Sequence, residues 1–76
     1  MTAFVVVYDR NRLLAEITEY AGTDGVARAS AHRASRESAN RDRNIEVVTL
    51  FADSLDDLRV THSRYFLNEP RLVQPA

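Results

Sequence analysis

The segment Ala3–Tyr8, AFVVVY, constrains the fold most, because apolar side chains fill both of its faces. Three consecutive valines and two aromatic residues favour an extended strand. The side chains alternate between two faces, of which one holds Ala3, Val5 and Val7 and the other holds Phe4, Val6 and Tyr8. A strand that is apolar on both faces is usually central in its sheet and covered on both sides. The sequence therefore predicts that Ala3–Tyr8 is the middle strand.

Two further strands are predicted. The polar segment Asp9–Arg12, in which Asn11 tolerates a positive φ, is typical of a turn and predicts a β-hairpin. Leu13–Tyr20 then alternates an apolar face with a more polar face, as edge strands do. Ile45–Ala52, IEVVTLFA, is largely apolar on both faces and is the third strand.

The first predicted helix runs from Gly25 to Asn40, with Thr23 or Asp24 as its cap. The predicted inner face is small and consists of Ala27, Ser30, Ala31, Ala34 and Ser38. The predicted outer face carries Arg28, His32, Arg33 and Arg36. Small inner side chains bury little apolar area, so this helix contributes less stability than the second and lies close to the sheet.

The second predicted helix, Ser54–Phe66, is the most completely specified. Ser54 is an N-cap residue, and Asp57 lies three positions later, at the spacing of a capping box. Asp56 and Arg59 are spaced to pair. One face is apolar and contains Leu55, Leu58, His62, Tyr65 and Phe66. The pattern ends before Pro70, which predicts a loose tail after the helix.

The element order is β-β-α-β-α, and the fold class is α+β. We expect a three-stranded antiparallel sheet in the order 2-1-3 with both helices on one face. A chain of 76 residues forms one domain, predicted to span 1–66, and 67–76 form a flexible C-terminal tail.

This arrangement predicts self-association. With both helices on one face, apolar residues of the first and third strands stay exposed on the other, and such surface usually marks an interface. We expect a homodimer or another protein partner, through packing of two sheets or pairing of third strands. The alternative is that the second helix or the tail covers this face. Residues 28–43 carry five arginines against two acids (+3), and 44–69 carry two against five (−3), which favours contact between copies.

Composition excludes several classes of site. The chain has no cysteine, so it forms no disulfide and no thiolate site. Its two histidines lie on different predicted helices, too few for a metal site, and we predict no cofactor. No apolar run reaches membrane length, and we predict a cytoplasmic protein.

Arg59, His62 and Tyr65 form the one polar grouping that suggests a ligand. His62 could be a general base beside an anionic substrate held by Arg59 or Tyr65. Alternatively, His62 is a partly buried imidazole with a structural hydrogen bond. We favour the structural interpretation, because nothing at catalytic spacing completes the set.

Five arginines could form a basic contact face for nucleic acid. They are Arg28, Arg33, Arg36, Arg41 and Arg43. No aromatic residue interleaves with them to stack on bases, and the net charge is −1. A solvated helix face is therefore the preferred interpretation.

The segments FVVVYDR, IEVVTLFADS and SLDDLRVTHSRYF resemble a group of small uncharacterised bacterial proteins that close with the motif T-H-x-R-Y-F. The resemblance covers most of residues 3–66, although the Ala- and Ser-rich first helix departs from it. It implies one compact domain and carries over no catalytic residue. Our leading hypothesis is a non-enzymatic interaction module that self-associates. Nucleic-acid binding and a small anion-binding protein or enzyme centred on His62 are the alternatives.

Overall fold

The sheet is built around the first strand, as the two-faced apolar pattern predicts. A computed structural model describes residues 1–75 of the chain. The elements are β1 (Thr2–Asp9), β2 (Leu14–Tyr20), α1 (Gly25–Ala39), β3 (Ile45–Ala52), α2 (Leu55–Thr61), a 3-10 helix (Ser63–Phe66) and β4 (Arg71–Val73). Their order confirms the α+β class. Among residues 1–75, no helix is both long and apolar enough to cross a membrane.

The strand order is β3-β1-β2-β4. β1 is antiparallel to both of its neighbours, with Val6 opposite Ile17 on one side and Val48 on the other. The predicted antiparallel order 2-1-3 is therefore confirmed for these strands. The sheet is mixed rather than purely antiparallel, however, because β4 pairs in parallel with β2.

The two helices lie on opposite faces of the sheet, so the prediction that they share one face is wrong. Ala29 of α1 packs with Ala3, Val5 and Tyr20 on one face. On the other face, α2 and the 3-10 helix contribute to a larger cluster, whose buried members are Phe4, Val6, Tyr8, Ala15, Ile17, Ala52, Leu58 and Tyr65. Two helices on one face would have left one apolar row of β1 in water. The actual arrangement buries both rows, which removes sheet-on-sheet packing as the reason to self-associate.

The hairpin is closed by Asp9, whose Oδ1 accepts hydrogen bonds from the backbone N–H groups of Asn11 and Arg12. The positive φ falls on Leu13, at 57°, and not on Asn11. Leu13 therefore belongs to the turn, and β2 begins one residue later than predicted.

Helix α1 is rotated relative to the prediction. Its contacts with the sheet come from Gly25 and Ala29, which are buried, and from His32 and Arg36, which are half-buried. The small residues predicted to face inward are exposed, namely Ala27, Ser30, Ala31, Ala34 and Ser38. Polar contacts explain the rotation: His32 Nδ1 lies 2.9 Å from the Tyr20 hydroxyl, and Arg36 donates to Glu16 at 2.7 Å.

Gly25 lets α1 begin close to the sheet. A Cβ atom at this position would lie 2.4 Å from the backbone oxygen of Tyr20. Any other residue there would therefore push the start of α1 away from the end of β2. Asp24 precedes the helix but forms no side-chain cap, so the approach depends on glycine rather than on capping.

The predicted second helix is shorter than its sequence pattern. The Ser54 hydroxyl accepts from the N–H of Asp57 at 3.1 Å, which confirms the cap. The helix ends at Thr61, because His62 leaves helical geometry with φ −130° and ψ 51°, and the chain continues as the 3-10 helix. His62 therefore lies at a junction and not in the middle of an apolar helix face.

The segment predicted to be a loose tail joins the sheet. Pro70 is buried, and Arg71–Val73 form β4 beside Glu16–Thr18 of β2. The side-chain amide of Asn68 donates to the carbonyl of Leu13 at 3.0 Å and ties this segment to the hairpin turn. Three residues of strand carry no periodic pattern that a sequence could reveal.

Candidate interaction surface

The most developed polar cluster lies between the 3-10 helix and β3. The hydroxyl of Tyr65 donates to Glu46 Oε2 at 2.9 Å, and Arg64 donates to both oxygens of the same carboxylate at 3.0 and 2.8 Å. The ring of Tyr65 packs edge-on against Tyr8, with centroids 5.1 Å apart. Arg10 lies 3.6 Å from the carboxylate of Glu46. Glu46, which sequence reasoning did not single out, is the centre of this cluster.

The hydrogen bonds and charges within the cluster indicate a structural role. Burial alone would raise the pKa of Glu46, but hydrogen bonds from Arg64 and Tyr65 and the charges of Arg64 and Arg10 outweigh burial and lower this pKa from its usual value. Burial and the hydrogen bond to Glu46 raise the pKa of Tyr65 to about 12. Tyr65 is therefore protonated near neutral pH and cannot act as a base. The cluster fastens the 3-10 helix to β3.

We expect Glu46→Gln to destabilise the protein by about 1–3 kcal/mol at pH 7, because Arg64 and Tyr65 lose a charged acceptor. The pKa of Glu46 is lowered in the folded state, so its stabilisation is present above the unfolded pKa and is lost as the pH falls through the folded pKa. Urea unfolding at pH 7 and pH 3 measures this difference, which should shrink at pH 3.

A matched control for Glu46→Gln is Glu69→Gln, which removes the carboxylate of an exposed ion pair with Arg59. Such surface pairs contribute about 0–1 kcal/mol. A loss of stability for Glu46→Gln that is equally large at pH 7 and pH 3 would contradict the role of the Glu46 charge.

Arg59, His62 and Tyr65 do not converge on a common point. Arg59 lies over the ring of Phe66 and pairs with Glu69 at 3.1 Å, rather than with Asp56 as its spacing suggested. The Nδ1 atom of His62 lies 2.9 Å from the hydroxyl of the adjacent Thr61. Tyr65 is buried against Glu46. Each side chain thus has its own partner, and the histidine paired with a tyrosine is His32.

The five arginines of the possible basic face have different surroundings. Arg33 pairs with Glu37, four residues later on the same helix, and Arg36 pairs with Glu16 of β2. Arg28 lies over the ring of Tyr20, 5.1 Å from its centroid. Arg41 donates to the carbonyl of Ser38 at 2.8 Å. Two of the charges are therefore matched by carboxylates.

A cavity of about 490 Å³ lies between β2, β4 and the start of α2. Its apolar lining includes Phe4, Ile17, Leu55 and Leu72, and its charged lining is Arg28 and Glu19. The opposite charges give it no preference for one sign of ligand. Within residues 1–75, no group of three or more His, Cys, Asp or Glu residues could hold a metal ion.

The outer edge of β3 is the candidate interaction surface. β3 ends the sheet on one side, and eight residues, Ile45–Ala52, border no other strand there. Phe51 is 45% exposed, and the other residues from Ile45 to Leu50 are half-buried. Glu46 is the one charged residue of this strand, and its carboxylate is engaged by Arg64 and Tyr65.

The backbone groups that face outward can be identified from one hydrogen bond. The N–H of Arg10 donates to the carbonyl of Asn44 at 2.8 Å, which extends the β1–β3 register. In an antiparallel pair, alternate residues direct their N–H and C=O groups toward the partner strand. Asn44, like every second residue after it, therefore faces β1. The outward-facing residues are Ile45, Val47, Thr49 and Phe51.

Ile45 is satisfied within its own chain. Its N–H donates to the carbonyl of Asp42, and its carbonyl accepts from the Asn40 side chain, each at 3.2 Å. Val47, Thr49 and Phe51 have no such partners in the part of the chain that the structure describes. We call the outward N–H and C=O groups of Val47, Thr49 and Phe51 the open edge.

The opposite side of the sheet is protected. β4 is three residues long, carries Arg71 and is flanked by Pro70 and Pro75. Short strands, charged side chains and prolines are the usual means by which proteins prevent pairing at an edge. β3 has no proline and no free charge, so the chain protects one edge of its sheet and leaves the other open.

Unpaired charges of opposite sign lie at the two ends of β3. Before β3, the side chain of Arg43 forms no ion pair or hydrogen bond within residues 1–75. After β3, the carboxylate of Asp53 is likewise without a cation in that part of the chain, and Asp56 and Asp57 continue the acidic charge. The strand therefore runs from a basic end to an acidic end.

The signal for the open edge was present in the sequence, since Ile45–Ala52 is long, apolar on both faces and free of proline. Sequence reasoning named pairing of third strands but could not identify the outward-facing residues. Comparison of the chain with family models, curated proteins and solved structures finds no match. The resemblance to small bacterial proteins with a T-H-x-R-Y-F motif stays a prediction, and function is inferred from the site itself.

Proposed function

We propose that the protein is a non-enzymatic interaction module that binds a second copy of itself through the open edge. One observation carries the proposal: Val47, Thr49 and Phe51 present unpaired backbone groups on a strand that is apolar on both faces. Such an edge is a template for another strand, and folded proteins normally block it.

A second copy fits this edge because of the charges at its ends. When two β3 strands run antiparallel, the basic end of each strand lies beside the acidic end of the other. Arg43 of one copy then lies near the acidic end of its partner's strand, where Asp53, Asp56 and Asp57 are found, and the same approach is repeated by the symmetry of the pair. Parallel pairing would instead place like charges together, which is unfavourable.

Light scattering across a concentration series tests the proposal, and we expect a dimer. Phe51→Lys should weaken the dimer about tenfold or more, equivalent to about 1.4 kcal/mol, because it places a charge on the open edge. Phe51 is 45% exposed, so the folded monomer should tolerate the change.

The matched control is Val60→Lys, because Val60 is 80% exposed on α2 and lies away from β3. This variant should dimerise like the unaltered protein. A monomer at every concentration would overturn the proposal, as would equal dimerisation of Phe51→Lys and the unaltered chain.

The two alternatives receive less support from the contacts. Arg33 and Arg36 are paired with carboxylates, which reduces the charge available to a nucleic acid. Arg59 and Tyr65 are bonded to Glu69 and Glu46, which leaves His62 without the neighbours that an anion site needs. A cytoplasmic location and the lack of a cofactor stay predictions.

A further inference from the structure

The length of the open edge restricts how two copies can pair. The three outward-facing residues Val47, Thr49 and Phe51 are evenly spaced, with Thr49 in the middle. On one side, the groups of Ile45 are already bonded to Asp42 and Asn40. On the other side, β3 ends at Ala52. The open edge is therefore symmetric about Thr49.

We propose that the dimer is two-fold symmetric with the axis at Thr49, so that Thr49 faces Thr49 of the partner subunit. This inference rests on the proposed function and specifies its geometry. Val47 of each copy then lies opposite Phe51 of the other. Each of the three residues offers one N–H and one C=O, and three pairs with two bonds each use all six groups of each copy.

The side chains agree with this register on both faces. On the α1 face, Val47 meets Phe51 of the other copy, which covers the exposed ring. On the α2 face, Val48 meets Leu50, and Glu46 meets the small Ala52. Apolar cross-strand pairs of this kind stabilise a sheet. The exposed apolar area of β3 is thus covered by matching area of the same strand.

Thr49 supplies a further observation. Its hydroxyl is buried and has no hydrogen-bond partner within residues 1–75. Two threonines opposite each other across strands can form a hydrogen bond between their hydroxyls. The hydroxyl is covered by its own chain, as is that of Thr18 in the interior of the sheet, so a contact across the axis requires a change of the Thr49 χ1 rotamer.

The competing symmetric register places the axis at Val48. It pairs Val47 with Thr49 but directs Phe51 to Ile45 of the other copy, whose groups are already used. It also places the Glu46 carboxylate opposite Leu50. This register leaves the backbone groups of Phe51 without a strand partner in both copies, so it forms fewer hydrogen bonds between the copies than the Thr49 axis does. A symmetry axis midway between Val48 and Thr49 would place outward-facing residues of one copy opposite inward-facing residues of the other. Such pairs cannot form a ladder of backbone hydrogen bonds.

Oxidative cross-linking distinguishes the registers, because the chain has no cysteine of its own. Residues that exchange hydrogen bonds across antiparallel strands have Cα atoms about 5.5 Å apart, within the range of a disulfide. We expect Thr49→Cys alone to form a covalent dimer. When the single variants Val48→Cys and Leu50→Cys are mixed, we expect a covalent dimer that contains one chain of each, because the Cα atoms of non-hydrogen-bonded partners lie about 4.5 Å apart. Neither variant should form a covalent dimer by itself.

Each outcome decides the question. Covalent dimers of Val48→Cys alone would overturn the Thr49 axis and support the Val48 axis, and covalent dimers of Leu50→Cys alone would overturn it in favour of an axis at Leu50. Pairing through β3 would stand in both cases. A dimer by light scattering with no cross-link in any sample would overturn edge pairing in either register. A monomer at all concentrations would overturn the proposed function itself. Urea unfolding of each reduced variant shows that it is folded before its cross-linking is compared.

Charge reversal gives a second, independent measurement. Arg43→Glu and Asp53→Arg should each weaken the dimer severalfold, and the double variant should recover most of the affinity. Both side chains lack an ion pair within residues 1–75, so neither change removes a contact inside the monomer. Additive weakening in the double variant would contradict the antiparallel orientation.

Discussion

Replacing Val48 by proline is expected to unfold the protein, whereas replacing the adjacent Thr49 by proline is expected to leave a folded monomer. The N–H of Val48 is directed toward β1, so proline would remove a ladder hydrogen bond from the middle of the sheet, where proline is essentially excluded. The carbonyl left unpaired on β1 would alone cost about 1–3 kcal/mol. The N–H of Thr49 points to the open edge, where proline is tolerated within a sheet. Circular dichroism and light scattering measure the two outcomes.

The two proline variants control for each other, because the substitutions are adjacent and introduce the same residue. If both variants unfold, the assignment of outward-facing groups on β3 is wrong. If Thr49→Pro stays folded and still dimerises, then the open edge is not the contact between copies.

Leu58→Ala is expected to destabilise the protein by about 2–5 kcal/mol, because it removes a side chain that is 0% exposed. Leu58 joins α2 to the cluster around Phe4 and Val6. For a domain whose total stability is typically about 5–15 kcal/mol, this is a large fraction. Chemical denaturation followed by circular dichroism measures the loss.

The matched control for Leu58→Ala is Val60→Ala, two residues later on the same helix and 80% exposed. Surface substitutions of this kind usually change stability by less than about 0.5 kcal/mol. Equal effects of the two substitutions would show that α2 does not cover the sheet as described.

The parts of the fold that depend on local pattern could be predicted. Ala3–Tyr8 is the central strand because its two apolar rows require cover on both sides, and the structure supplies a helix for each. The Ser54 cap was predictable because a serine hydroxyl accepts a hydrogen bond from the N–H group three residues later, in the first turn of the helix. These features depend on residues close together in the sequence.

The orientation of α1 could not be predicted from apolar periodicity. Alanine and serine differ too little in hydrophobicity to mark an inner face, and the helix is oriented by the contacts of His32 with Tyr20 and of Arg36 with Glu16. Both pairs are far apart in sequence. The close approach at Gly25 likewise becomes visible only when the backbone of Tyr20 is in place.

The open edge was predictable only in outline. The composition of Ile45–Ala52 indicates an aggregation-prone or pairing strand. Which of its backbone groups face outward depends on the register with β1, and a shift by one residue would reverse the answer. The bonds from Asn40 and Asp42 that end the open edge at Ile45 are equally invisible in the sequence.

The protected strand β4 has a consequence for the size of the assembly. A molecule with two usable edges would add further molecules at both ends and grow into a fibre. Pro70, Arg71 and Pro75 leave the described part of this chain with a single usable edge, so the proposed edge pairing would end at two copies. If the proposed dimer forms, β4 limits its size, because loss of β4 would expose the edge of β2 and allow further copies to add.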